Sequence, residues 1–167
     1  MKMKPALEEL NNMIGLDNIK KQLLDQILYF SQPLHRNDTN LMHTIIQGSP
    51  GVGKTKLGKI LGKIYCALNI TSRDTIKIVK RSDLIGQYLG QTAVKTQQAI
   101  DDAMGGVLFI DEAYSLGDNI GKTNNTYSKE CLDTINQNLS ENKSKFICII
   151  AGYAKELNNS FSHQIQD

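Results

Sequence analysis

Arginine is scarce in this chain. Arg36, Arg73 and Arg81 stand against sixteen lysines, and no arginine follows Arg81 in the 167 residues. Cysteine is scarce too: Cys66, Cys131 and Cys148 form no CxxC pair, an odd scatter that suits reduced thiols in a cytosol-like compartment. No apolar run approaches the ~18 residues of a membrane span. The opening Met1–Pro5 leads into an acidic segment without the apolar stretch of a signal peptide. A soluble, cytoplasmic protein is the expectation. Charge of one sign is also missing: a formal net charge of +2 argues against nucleic acid or an anionic membrane as partner. With three prolines, 13 glycines, 40% hydrophobic and 22% charged residues, the composition excludes a disordered, collagen-like or repeat-only protein. A chain of this length buries roughly 70% of its unfolded surface, so neither disulfide nor structural metal is needed as a staple.

Apolar periodicity then sets out the elements. Leu16, Ile19, Leu23, Leu24, Ile27 and Leu28 repeat at helical spacing over residues 16–30, with Asp17 near the start. Ser31–Asn40, with Pro33, reads as a loop, and His43–Gln47 as a short strand ending at Gly48. Over Lys54–Leu68 the set Leu57, Ile60, Leu61, Ile64, Tyr65 and Leu68 lies on one helix face, opposite Lys56, Lys59 and Lys63. That lysine stripe is expected to be simply solvated. Thr75–Lys80 alternates, as a strand does when one side or edge meets water. Val107–Ile110 and Phe146–Ile150 are continuously apolar, as central strands covered on both faces are. Helices are expected at Thr92–Met104 and Ser128–Ser140, with Thr92 and Ser128 as caps. Gly117–Thr126 is a polar loop. A helix followed by repeated strand–helix units signifies an α/β protein with a parallel sheet.

Two motifs carry chemistry. Gly48-Ser49-Pro50-Gly51-Val52-Gly53-Lys54-Thr55 matches G-x-x-x-x-G-K-[ST]. Its glycines let backbone amides turn inward around phosphate oxygens, and the helix that follows points its positive end at them. Lys54 adds a mobile charge for the β- and γ-phosphates, and Thr55 a hydroxyl for Mg²⁺. A plain Gly-rich turn is the competing reading; the apolar strand before the loop and the amphipathic helix after it favour nucleotide. The second motif is Val107–Ile110 ending in Asp111-Glu112, two carboxylates at the strand edge where α/β sheets place ligands. Asp111 is expected to hold the metal and Glu112 to polarise the attacking water. Together the motifs indicate a bound nucleoside triphosphate with Mg²⁺ and its hydrolysis rather than simple phosphate transfer.

With these residues, and with Ile14-Gly15-Leu16-Asp17, Arg81–Thr92, Ile110–Leu116 and Ile150-Ala151-Gly152-Tyr153, the chain resembles the AAA+ ATPases over roughly residues 7–157. Within them it is most similar to the branch of the red-type Rubisco activase and the stage V sporulation protein K-like proteins. The resemblance implies a P-loop NTPase three-layer sandwich around a parallel sheet, the AAA+ large subdomain. It divides the chain into an N-terminal linker and first helix (1–30) and a nucleotide-binding core (31–167), one structural domain overall. Ile14, Gly15 and Leu16 are then expected to flank adenine, and Tyr88, Leu89 and Gly90 to form a substrate pore loop. An aromatic beside a flexible glycine grips extended polypeptide by area rather than by shaped hydrogen bonds; core packing of Tyr88 is the alternative.

The implied function is an ATP-driven, ring-forming, chaperone-like protein-remodelling enzyme, a homohexamer when full-length. Its partner would be a polypeptide client, with no nucleic acid and no membrane. Two departures stand against the pattern. Tyr153 occupies the position of a polar sensor. The family's arginine finger, fifth strand and helical lid are not found by Asp167, and Lys155 is a poor substitute for a guanidinium. A finger is worth about 10³–10⁵ in turnover, so these residues alone are expected to hydrolyse ATP very slowly, as a fragment or a naturally short form, with the first strand left as an apolar sheet edge. The alternatives are a non-catalytic ATP-binding module that regulates assembly and, last, a DNA-linked AAA+ protein such as a clamp loader.

Overall fold

The computed structural model describes residues 3–32, 43–49, 51–88, 90–113 and 125–152. Within them the chain runs α1 (Met3–Asn11), α2 (Asp17–Ser31), β1 (Thr44–Gln47), α3 (Lys54–Ala67), β2 (Ile76–Val79), α4 (Arg81–Leu84), α5 (Gln91–Ala103), β3 (Val107–Ile110), α6 (Asn125–Glu141) and β4 (Ile147–Gly152). The four strands form one parallel sheet in the order β1-β4-β3-β2. This is the α/β architecture with a parallel sheet that the patterning predicts.

The two continuously apolar strands are the central ones, and every residue of β3 and β4 is buried. Their side chains alternate between two cores, as the pleat requires. Val107, Phe109, Ile147, Ile149 and Ala151 join α1, α2 and α3 on one face. Leu108, Ile110, Cys148 and Ile150 join α4, α5 and α6 on the other. Three layers result. The alternating segment is β2, an edge strand, whose Ile78 remains 40% exposed. Among the described residues β1 is the opposite edge. Its Thr44 hydroxyl lies 3.1 Å from the Tyr65 hydroxyl of α3.

Three local expectations are revised. The first thirty residues hold two helices, because Met3, Ala6, Leu7 and Leu10 form a separate i, i+3, i+4, i+7 stripe packed on the core beneath α3. The lysine row is exposed as expected at Lys56, Lys59 and Lys63, and Lys63 there forms a 2.8 Å surface ion pair with Glu9 of α1. Thr92 is not a cap. Gly90, in the left-handed region, precedes α5, and Thr92, the second residue of that helix, is fully buried. Ser128 is no cap either, since α6 already begins at Asn125 and Ser128 is buried within it.

Candidate nucleotide site

The phosphate loop and the two carboxylates lie far apart in sequence and meet because of strand order. Gly48 follows β1, and Asp111 follows β3, with β4 between those strands. The chain leaves β1 toward the face covered by α3 and leaves β3 toward the face covered by α6. Connections that diverge to opposite faces open a crevice at the C-terminal ends of the strands. The end of β4 ties its two walls together. Gly48 N–H donates to the Gly152 carbonyl at 3.3 Å, and Ala113 N–H donates to the Ala151 carbonyl at 2.9 Å.

Gly51 and Gly53 have φ of +80° and +85°, left-handed values that a side chain would oppose. This turn lets α3 begin directly at Lys54, which sets the N-terminus of the helix, its positive end, beside the loop. Lys54 Nζ donates to the carbonyls of Gly48 and Ser49, each at 2.7 Å, which holds the ammonium over the loop. Thr55 Oγ1 donates to Asp111 Oδ2 at 2.8 Å, joining the two motifs across 56 positions of sequence. Asp111 is 6% exposed, and its other oxygen accepts from Glu112 N–H at 3.0 Å. Val52 is exposed beside the loop. Pro50 lies outside the described residues, as do Leu89 and Tyr153.

Glu112 differs from Asp111 in every respect. Its φ is +56°, a conformation that costs a non-glycine residue about 1–2 kcal/mol. The backbone reversal turns the side chain outward, where its carboxylate is half exposed and lies 4.0 Å from Lys80 Nζ at the end of β2. Lys80 is a residue that the motifs did not single out. Its position after an alternating edge strand was the available signal. The carbonyls of Ala151 and Gly152 were likewise missed, because backbone acceptors leave no trace in side-chain chemistry.

The Ile14-Gly15-Leu16 segment stands next to the loop. Gly15 and Leu16 are both left-handed, at φ +72° and +63°. Ile14 is fully exposed, and Leu16 packs against the α3-side core. Lys20 Nζ fastens the turn by donating to the carbonyls of Asn11 and Met13. The Met13 methyl reaches within 3.2 Å of where a side chain on Gly53 would begin. Tyr88 is 67% exposed, so it is not a core residue of this chain. It sits between α4 and α5, and Gly90 beside it is exposed.

The residues present fit a magnesium nucleotide. A hydroxyl and a carboxylate in contact are the hard oxygen donors that Mg²⁺ prefers. Among the described residues no group of three or more His, Cys, Asp or Glu could hold a metal by itself. A magnesium ion held by one or two protein oxygens takes its remaining ligands from phosphate and water. Among the same residues no helix is long and apolar enough to cross a membrane.

Known proteins resemble this chain along most of its length. It is 42% identical over 159 residues to a cfxQ-like protein of Acanthamoeba polyphaga mimivirus, covering 95% of this chain and 39% of that one. It is 31% identical over 166 residues to stage V sporulation protein K of Bacillus subtilis, covering 96% and 51%. With the ESX-3 secretion system protein EccA3 of Mycobacterium tuberculosis it shares 37% identity over 155 residues, covering 89% and 24%. The chain thus spans about half or less of the length of these relatives. Its fold is similar to that of the FIGL-1 AAA domain solved in complex with ADP, with a TM-score of 0.60 at 18% identity, over 93% of this chain and 52% of that one. The profile of the ATPase family associated with various cellular activities (AAA) matches residues 44–162, and with the relatives above it places this chain in the AAA ATPase family.

Proposed function

We propose that this chain is the ATP-binding and ATP-hydrolysing core of a ring-forming enzyme that remodels other proteins. The observation that carries the proposal is the 2.8 Å contact between Thr55 and Asp111 at the N-terminus of α3. It brings the Gly48–Thr55 loop, a helix terminus and a hydroxyl–carboxylate pair together, which supports a site for phosphate and metal. Backbone amides of Gly51, Val52 and Gly53 would receive the phosphates, with Gly48, Ser49 and Pro50 shaping the entry to the loop. Lys54 would exchange its carbonyl partners for β- and γ-phosphate oxygens. Thr55 and Asp111 would hold Mg²⁺, whose charge neutralises that developing on the phosphoryl oxygens. Glu112, at the strained corner beside Asp111, would orient the attacking water and accept its proton. Ile14, Gly15 and Leu16 would flank the base. Tyr153 is proposed as the sensor position.

The exposed Tyr88 supports a polypeptide client, with Leu89 and Gly90 completing a pore loop in a hexamer. A net charge of +2 supports neither nucleic acid nor membrane as partner. Three buried cysteines, none in a disulfide, suit the reducing cytoplasm. Burial pushes the thiols of Cys131 and Cys148 up to about 11 and 12, which keeps them protonated and unreactive. No arginine follows Arg81, so the 167 residues by themselves are proposed to turn over slowly.

Calorimetry with Mg·ATP, phosphate release and gel filtration test the proposal. Saturable binding that Lys54→Ala weakens about 100-fold or more, by the loss of charge-assisted hydrogen bonds, is the expected result. Glu112→Gln is expected to retain binding and lower turnover about 10²–10⁴-fold. A well-folded chain that takes up no ATP would refute the site. Binding without any Glu112-dependent phosphate release would favour the non-catalytic assembly module.

A further inference from the structure

The segment between β2 and α5 is fastened to the side of α5 by several independent contacts. Thr96 Oγ1 donates to the Leu84 carbonyl at 3.2 Å. Lys95 Nζ donates to the carbonyls of Ser82 at 3.2 Å and Ile85 at 3.0 Å. Thr92 Oγ1 accepts from Gly86 N–H at 3.0 Å, and Gln91 Oε1 accepts from Gln87 N–H at 3.3 Å. Gln91 N–H in turn donates to the Tyr88 carbonyl at 3.2 Å. The approach is close: a side-chain carbon on Gly86 would lie 2.5 Å from Gln91 Cβ and 2.9 Å from the Thr92 nitrogen. Every side chain in this set comes from the first two turns of α5, and each holds backbone within six residues of Tyr88. Tyr88 itself, 67% exposed, has no burial to hold it.

We propose that Thr92 and Lys95 are positioning residues for Tyr88: they fix the loop on α5 so that the ring projects in one orientation. The inference rests on the reading of Tyr88 as a client-gripping residue, and it adds what makes the grip stiff. Thr92 is fully buried, and its hydroxyl is the acceptor for the Gly86 amide within the loop. Lys95 stands on the exposed side and draws two successive stretches of the loop onto one ammonium. A ring that must transmit a pull to an extended polypeptide gains from a loop whose ends cannot swing, because a swinging side chain loses contact entropy on every engagement.

The sequence contains no tryptophan, so Tyr88→Trp provides a unique fluorescent reporter at the loop. In that background, Thr92→Val and Lys95→Met are compared with Thr92→Ser, which restores the acceptor. Three readouts are taken with the 167-residue chain: tryptophan anisotropy, affinity for fluorescein-labelled casein as a model unfolded client, and melting temperature. Thr92→Val and Lys95→Met are expected to lower the anisotropy and weaken casein binding about 2- to 10-fold, the worth of one hydrogen bond. Thr92→Ser is expected to match the parent. Lys95→Met removes an exposed ammonium and keeps its apolar stem, so it is the variant that folds if Thr92→Val does not. Unchanged anisotropy in Lys95→Met and in folded Thr92→Val would overturn the proposal. A fall in anisotropy with no casein binding by any variant, the parent included, would uphold the positioning role and refute the client-gripping reading.

Discussion

The two faces of the sheet are built from different materials. On the α3 side the core is Leu, Ile, Phe, Val and Ala with Met13 and Cys66, and Tyr65 is its largest fully buried side chain, satisfied at its hydroxyl by Thr44. On the α5–α6 side, Thr92, Thr96 and Asn138 are buried on the helices, within a core of Leu, Ile, Ala, Val and Phe that also holds Cys131 and Cys148. Asn138 there bonds Gln97 across the two helices at 2.8 Å. The first face is a close-packed floor that supports the phosphate loop. The second is a hydrogen-bonded frame that supports the Tyr88 loop. Apolar packing gives cohesion without direction, whereas hydroxyls and amides fix particular backbone atoms. The loop that needs an orientation is the one on the hydrogen-bonded face.

Truncating the floor is expected to do the most damage. Phe109 is fully buried in β3 beneath α3, and Phe109→Ala should cost about 3–5 kcal/mol, measured by urea denaturation. A loss under about 1 kcal/mol would mean that this face is looser than its geometry. The second test adds bulk instead. A methyl on Gly58 would lie 2.1 Å from the Phe109 ring, so Gly58→Ala should destabilise by about 1–3 kcal/mol. That result would appear despite alanine's better helix propensity, worth about 1 kcal/mol in the opposite direction.

The third test addresses acid, to which the hydrogen-bonded side alone should respond. His43 Nδ1 accepts from Cys148 N–H at 3.0 Å, and its ring is buried beside Phe146. Burial, reinforced by Lys143, lowers its pKa to about 4 from 6.5. Between those values the unfolded chain binds the proton and the folded chain does not. The neutral ring's stability is therefore fully present above about pH 6.5 and is lost as pH falls toward 4. About 2 kcal/mol should disappear between pH 7 and pH 5, and His43→Gln, which keeps an acceptor, should remove that dependence. The smallest effect is expected for Thr96→Val, which deletes a hydroxyl bonded to the Leu84 carbonyl at nearly constant volume and should cost about 1 kcal/mol. If it cost as much as Phe109→Ala, the contrast between the faces would be false.

The Gly48–Thr55 turn between β1 and α3 was readable because its pattern is local. Eight consecutive residues carry the glycines, the lysine and the threonine that phosphate requires, and the apolar runs on either side declared a strand and a helix. The continuous runs at Val107–Ile110 and Phe146–Ile150 revealed central strands for the same reason. Other features were readable in principle and were passed over, such as the Met3, Ala6, Leu7 and Leu10 stripe of α1. Thr92 and Ser128 misled because a hydroxyl near a helix start favours capping; here the helices begin earlier, and both hydroxyls are drawn inward by packing.

The sequence by itself determined the periodicities, the two motifs and the parallel α/β class, since each follows from side chains that neighbour one another along the chain. Only the tertiary structure decided that Thr55 meets Asp111, that Lys80 faces Glu112, and that Lys95 and Thr92 hold the Tyr88 loop. Those pairs depend on strand order and on how tightly helices settle onto the sheet. Such quantities are set by the summed burial of many apolar groups and are written in no single stretch of residues.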